Sequence, residues 1–161
     1  MESVAWEKEA TVDSNEDTTN KCIKLAFPVN LSKVHFIKMV LTENGKVVSD
    51  NFYHRSLEEN NYQDLRQLAK VALQSTTTVD KHADGTWSAV SVIENKTSTP
   101  ALMIRLNVVG NKDGQQLLPV FYSDNYFSLL PGEKKEVRMS WKDEDTRGNE
   151  GKVLITGYNV E

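Results

Sequence analysis

The chain has 161 residues, 39% of them hydrophobic, and a net charge of −4 from 19 Lys and Arg against 23 Asp and Glu. That is length for one domain or one and a half, with enough apolar residues for a core. Such a charge balance excludes a nucleic-acid binder relying on bulk positive charge, and no apolar run approaches the ~18 residues of a membrane-spanning helix.

The N-terminus, Met1-Glu2-Ser3-Val4-Ala5-Trp6-Glu7-Lys8, has no basic segment followed by an apolar one, so no signal peptide is predicted there. Alternation then dominates. Ile23, Leu25, Phe27 and Val29 alternate with Cys22, Lys24, Ala26 and Pro28, the period of a strand with one buried face. Cys22 is the single cysteine, which excludes an intrachain disulfide and a cysteine-rich metal site. Its place in mid-strand predicts a buried, inert thiol.

Asn44-Gly45 separates Val34–Glu43 from Lys46–Arg55 and predicts a hairpin with a type I′ turn, where both central residues need φ > 0. That register sets Leu41 opposite Val48, Ile37 opposite Phe52 and Phe36 opposite Tyr53. Four strands are therefore expected before residue 56, near 3–12, 21–29, 34–43 and 46–55.

Residues 56–74 read as a linker. Tyr62, Leu65, Leu68, Ala69 and Ala72 fall at helical spacing there, which allows one or two helical turns. An earlier start of the next strand, at Lys70–Leu73, fits as well.

Seven strands follow, near 75–82, 86–94, 101–109, 117–122, 126–130, 134–142 and 152–159. Leu102, Ile104, Leu106 and Val108 alternate with Met103, Arg105 and Asn107; Val137, Met139 and Trp141 alternate with Arg138, Ser140 and Lys142. Asp84-Gly85 is expected to turn as Asn44-Gly45 does, and Pro131-Gly132 suits the centre of a type II turn. Seven short strands with turn signals every 8–12 residues are the pattern of an immunoglobulin-like sandwich, without the Cys…Trp…Cys spacing of antibody domains. The fold class expected is all-β: an immunoglobulin-like antiparallel β-sandwich preceded by part of a second sandwich.

Few residues suggest chemistry. His35, His54 and His82 lie far apart without metal-ligand spacing and read as satisfied or exposed structural histidines. No Gly-x-Ser-x-Gly or phosphate loop occurs. Asp143-Glu144-Asp145 starts like a calcium loop but the order fails at Arg147, so a solvated loop is expected. Asn30-Leu31-Ser32 and Asn95-Lys96-Thr97 match the glycosylation acceptor pattern, a common three-residue match. Trp87 and Trp141 run in phase with apolar neighbours and are assigned to the core, leaving Trp6 as the exposed tryptophan. No catalytic residue, metal ligand or cofactor is predicted.

The segment that stands out is Leu118–Glu133, L-P-V-F-Y-S-D-N-Y-F-S-L-L-P-G-E. It reads as a strand, a polar corner, a short aromatic strand and a Pro-Gly turn. At the corner, Ser123, Asp124 and Asn125 are expected to cap backbone groups. Tyr126 is expected to bury its ring and return its hydroxyl to the backbone. A competing reading sends this corner towards a substrate cleft.

This segment resembles the "P-V-x-W/Y-S-D-N-Y-x-S-L-x-P-G-E" stretch in the C-terminal immunoglobulin-like domain of glycoside hydrolase family 2 enzymes, in the branch of β-mannosidases, endo-β-mannosidases and exo-β-D-glucosaminidases. Gly45–Tyr53, G-K-V-V-S-D-N-F-Y, is similar to that family's "G-K-V-V-S-x-N-F-Y-W-L-S", although His54-Arg55-Ser56 stands here where Trp-Leu-Ser is common. The resemblance implies that 1–55 are the last strands of a penultimate immunoglobulin-like domain and 75–161 the complete final one. It also implies a parent enzyme that hydrolyses β-mannosides or β-glucosaminides with retention, by two glutamates on a TIM barrel. A barrel takes about 250 residues of alternating β/α units, so it is not in this chain. The chain is then a non-catalytic region supporting the barrel and preceding domains of that enzyme. A carbohydrate-binding or adhesion-type sandwich is the alternative. Glycan contact is possible in either case; nucleic acid and membrane are not expected partners.

Overall fold

A computed structural model of the chain describes residues 6–161. It is all-β, and the chain divides between Leu65 and Arg66 into two compact units.

In the first unit, β1 (Val34–Glu43) and β2 (Lys46–Ser56) form one antiparallel hairpin. Asn44 and Gly45 both take positive φ, 50° and 76°, as a type I′ turn requires. The two-residue register holds at the tip, where Glu43 faces Lys46 and Thr42 faces Val47. It then shifts between Leu41 and Thr42, so Leu41 faces Ser49, Ile37 faces Tyr53 and Phe36 faces His54. The pairs expected from the turn alone are displaced by one residue, because Val48 is the extra residue of a bulge. Beyond the bulge Phe36 and Phe52 share a face with His54: the phenyl rings stack with centroids 5.3 Å apart, and the imidazole meets both edge-on.

Among the described residues, the strands expected at 3–12 and 21–29 do not form. Residues 3–5 lie outside the described residues; 6–12 and 21–29 are irregular and largely exposed. Alternation makes a strand only where a neighbour's backbone takes up its N–H and C=O groups. Cys22 is consequently exposed, not buried. His35 also departs from expectation. It is buried, its ring meets Phe27 edge-on at 5.6 Å, and neither ring nitrogen has a hydrogen-bond partner.

The second unit is a seven-stranded sandwich. One sheet has the order β3 (Gln74–Lys81), β4 (Thr86–Glu94), β8 (Lys134–Lys142), β6 (Phe121–Tyr122). The other has the order β7 (Phe127–Leu129), β5 (Ala101–Gly110), β9 (Gly151–Thr156). The linker range 56–74 is divided by the boundary at Leu65. Gln63–Gln67 makes a 3-10 turn, and Val71 is fully buried in the sandwich core, bridged in parallel to Val160.

The core follows the period-2 phase. Ala89 and Ile93 of β4 and Val137, Met139 and Trp141 of β8 meet Ile104, Leu106 and Val108 of β5 and Phe127 and Leu129 of β7. β5 departs from strict alternation near its start. Ala101 faces Leu129 and Ile104 faces Phe127, three residues against two. Met103 takes a φ of 51° within that bulge, so Ala101 joins the core cluster at the place assigned to Leu102.

Asp84-Gly85 differs from its expected form. Only Gly85 has positive φ, 79°; His82 N–H donates to Thr86 O, closing a three-residue loop with glycine in the left-handed place. At Pro131-Gly132, Gly132 has φ 81° and Glu133 N–H donates to Leu130 O, the pattern of a type II turn.

One end of the sandwich is closed by tryptophans. Trp87 and Trp141 stack 6.3 Å apart with planes 4° from parallel. Trp87 Nε1–H donates to Asp143 Oδ1 at 2.8 Å, and Lys81 Nζ reaches Asp143 Oδ2 at 2.8 Å. These two partners hold the Asp143 carboxyl below the usual carboxylate range and engage both of its oxygens.

Two outcomes are expected. A Cβ on Gly151 would lie 2.8 Å from Trp141 Cζ2 and 3.0 Å from Val108 Cγ1. Gly151→Ala therefore overpacks the core and costs about 1–3 kcal/mol in denaturant unfolding; an unchanged midpoint would contradict that packing. Burial lowers the pKa of His54. The unfolded chain then binds the proton more readily, so the hairpin loses stability as pH falls below the ordinary histidine value of 6.5. Amide exchange in β1 and β2 should accelerate from pH 7 to pH 5 relative to intrinsic rates, and His54→Phe should flatten that dependence.

Candidate functional site

Residues 123–126 carry the chain from one sheet to the other, between β6 and β7. Ser123 prolongs the β6–β8 pairing: its N–H donates to Arg138 O at 2.8 Å, and its Oγ accepts from Arg138 N–H at 3.0 Å. Asp124 Oδ1 accepts from Asn125 N–H at 2.7 Å, and its other oxygen pairs with Lys135. The Lys135 ammonium also lies 4.9 Å from the centre of the Phe127 ring.

Asn125 reaches the second sheet. Its Oδ1 accepts from Leu106 N–H at 2.9 Å and its Nδ2 donates to Leu106 O at 3.0 Å. A side-chain amide thus does for the middle of β5 what a neighbouring strand's backbone would do.

Tyr126 corrects the sequence expectation. Its ring is 60% exposed, its φ is 59°, and the Arg105 guanidinium lies 5.9 Å from its centre. Of the two tyrosines in Leu118–Glu133, the one that returns its hydroxyl to the backbone is Tyr122, whose Oη accepts from Val108 N–H at 3.3 Å. Burial pushes the Tyr122 phenol up. Alternation could have separated the two: counting back from Phe127 and Leu129, Tyr126 falls on the outward face.

Other candidates have structural partners. Asn95 is fully buried; its Nδ2 donates to Thr99 O and Leu129 O, and its Oδ1 accepts from Thr97 N–H and Thr97 Oγ1. Asn159 is similar, donating to Ala69 O and Pro100 O and accepting from Leu102 N–H. Sequence reading missed both roles, because an asparagine that holds loops looks like any surface asparagine. His82 Nε2 lies 2.7 Å from Ser88 Oγ. Trp6 is exposed, whereas Trp87 and Trp141 stack within the sandwich, so the tryptophans make no coplanar sugar platform.

Comparison with known proteins places this geometry in a context. The family model described as the exo-beta-D-glucosaminidase Ig-fold domain matches residues 51–160. The exo-beta-D-glucosaminidase of Hypocrea jecorina is 32% identical over 164 residues, covering 88% of this chain and 18% of that protein. That of Streptomyces avermitilis is 30% identical over 151 residues, covering 81% and 17%. The crystal structure of the Amycolatopsis orientalis exo-chitosanase CsxA is similar with a TM-score of 0.74 and 29% identity, covering 82% of this chain and 18% of that one. The chain therefore spans less than a fifth of the length of these relatives.

The corner predicts a graded mutational series. Asn125→Ala leaves both Leu106 backbone groups unpaired and costs about 1–3 kcal/mol. Asp124→Ala removes a partly exposed ion pair and one local hydrogen bond, and costs about 1 kcal/mol or less. Tyr122→Phe costs about 1 kcal/mol, whereas Tyr126→Phe leaves the unfolding midpoint unchanged. The phenol's raised pKa also means that stability is lost as pH climbs above 10.0 and through the folded value, and Tyr122→Phe removes that slope. Equal effects of the two tyrosine changes would contradict the assignment.

Proposed function

Since the chain belongs to the exo-β-D-glucosaminidase Ig-fold domain family, we propose that it is a non-catalytic C-terminal region of a retaining glycoside hydrolase of family 2, supporting that enzyme's catalytic barrel. The substrate class is the β-glucosaminide. The relatives named above are exo-β-D-glucosaminidases, so of the two glycosides left open by the resemblance, the mannoside lacks support.

The observation that carries the reading is where the polar groups of the corner go. Ser123, Asp124 and Asn125 spend their side chains on Arg138, Lys135 and Leu106 of the same sandwich. Groups so occupied hold strands together and are not presented to a sugar. The all-β architecture agrees, since the barrel's alternating β/α units are foreign to it. In this reading residues 1–55 belong to a penultimate immunoglobulin-like domain, and the partners are the barrel and the domains before it.

The 161-residue chain should show no turnover of nitrophenyl β-D-glucosaminide, and titration with glucosamine oligomers should give no saturable heat. Deleting Arg66–Glu161 from the longer polypeptide should lower its thermal midpoint. Turnover abolished by changing a carboxylate of this chain would sink the non-catalytic reading; saturable oligomer binding would favour a carbohydrate-binding module.

A further inference from the structure

We propose that the outward face of the three-stranded sheet β7-β5-β9 is a protein-docking surface, and that its occupant is a carboxylate-bearing face of the polypeptide that precedes this chain in the parent enzyme. The identity of that occupant rests on the function proposed above.

Three observations converge on this face. The first is exposed apolar and aromatic area. Met103 on β5 is 50% exposed, Leu154 on β9 is 42% exposed, and Tyr126 leads into β7 with its ring against Arg105. In the pairing of β5 with β9, Arg105 faces Thr156 and Asn107 faces Leu154, so these side chains share one side of the sheet. Tyr, Arg and Met are the residue types enriched at protein interfaces.

The second is charge. The chain as a whole is acidic, at −4, yet the outward positions of these strands hold Arg105 and Lys152 and no carboxylate. The guanidinium of Arg105 rests against the Tyr126 ring, a pairing that leaves its N–H donors available to an acid. A protonated glucosaminide amine is repelled by the same two cations, and one ring already faced by a guanidinium is no sugar platform. The face therefore suits an acidic protein surface better than the substrate.

The third is backbone conformation. Tyr126 and Met103 are both non-glycine residues held at positive φ, 59° and 51°, and both present their side chains outward. Left-handed bulky residues are uncommon and gather at functional surfaces.

Hydroxyl-radical footprinting read by mass spectrometry tests this directly, because Met and Tyr side chains label readily. Met103 and Tyr126 should label in the 161-residue chain and lose most of that labelling in the full-length gene product, where interface anchors are desolvated. Arg105→Glu in the full-length protein should restore Tyr126 labelling. Equal labelling in both proteins would overturn the docking surface while leaving the supporting role intact. Protection that appears only on adding glucosamine oligomers would overturn it in favour of a glycan site. A gene product without a β/α barrel would overturn the parent reading itself, and the occupant with it.

Discussion

The sandwich depends on one crossing. Between β6 and β7 the chain leaves one sheet and enters the other, and at that point the backbone of β5 would lose a partner. Two hydrogen bonds from the Asn125 amide to Leu106 fill the gap. Leu106 is a fully buried residue in the middle of β5, flanked in phase by Ile104 and Val108. A free N–H and C=O there would each carry the cost of an unpaired buried group. Ser123 makes the matching attachment to the sheet being left. Four residues thereby join two sheets, and the aromatic residues on either side, Tyr122 and Phe127, are set into or against the core.

The same economy explains why a well-ordered polar motif does not amount to an active site. The Asp143 carboxylate is claimed by Trp87 and Lys81, the Asp124 carboxylate by Lys135, and two asparagines by the loops they hold. Polar side chains at the ends and corners of the sandwich act as substitutes for backbone. On the outside of the smaller sheet, Arg105, Lys152, Met103 and Tyr126 face away from the core.

Much of the fold was legible because its signal is local. Alternation in Val137–Trp141 and the turn chemistry of Asn44-Gly45 and Pro131-Gly132 each depend on neighbours within a few residues. The misreadings share a cause. The bulges at Val48 and Met103 add one residue each, and nothing in composition marks an extra residue in an apolar strand. The alternation of Ile23, Leu25, Phe27 and Val29 is real, yet a strand also needs a pairing partner, which is a property of distant sequence. At the corner, Ser123, Asp124 and Asn125 each accept from a backbone N–H, but which tyrosine turned inward depended on the phase of β7. The roles of Asn95 and Asn159 were invisible, because their hydrogen bonds link residues up to 90 positions apart.

The burial of Asn95 has a consequence for making this protein. Asn95-Lys96-Thr97 satisfies the acceptor pattern read by the glycosylation machinery of the eukaryotic secretory pathway. In the folded sandwich its amide nitrogen already donates to Thr99 and Leu129 and has no room for a sugar. Oligosaccharide transfer to the nascent chain would therefore race the closing of the sandwich, and a chain modified first would carry a glycan where its interior must go. Secretion through such a host becomes a kinetic contest that a cytoplasmic or bacterial host never poses. Asn30, exposed in its turn, carries no such conflict.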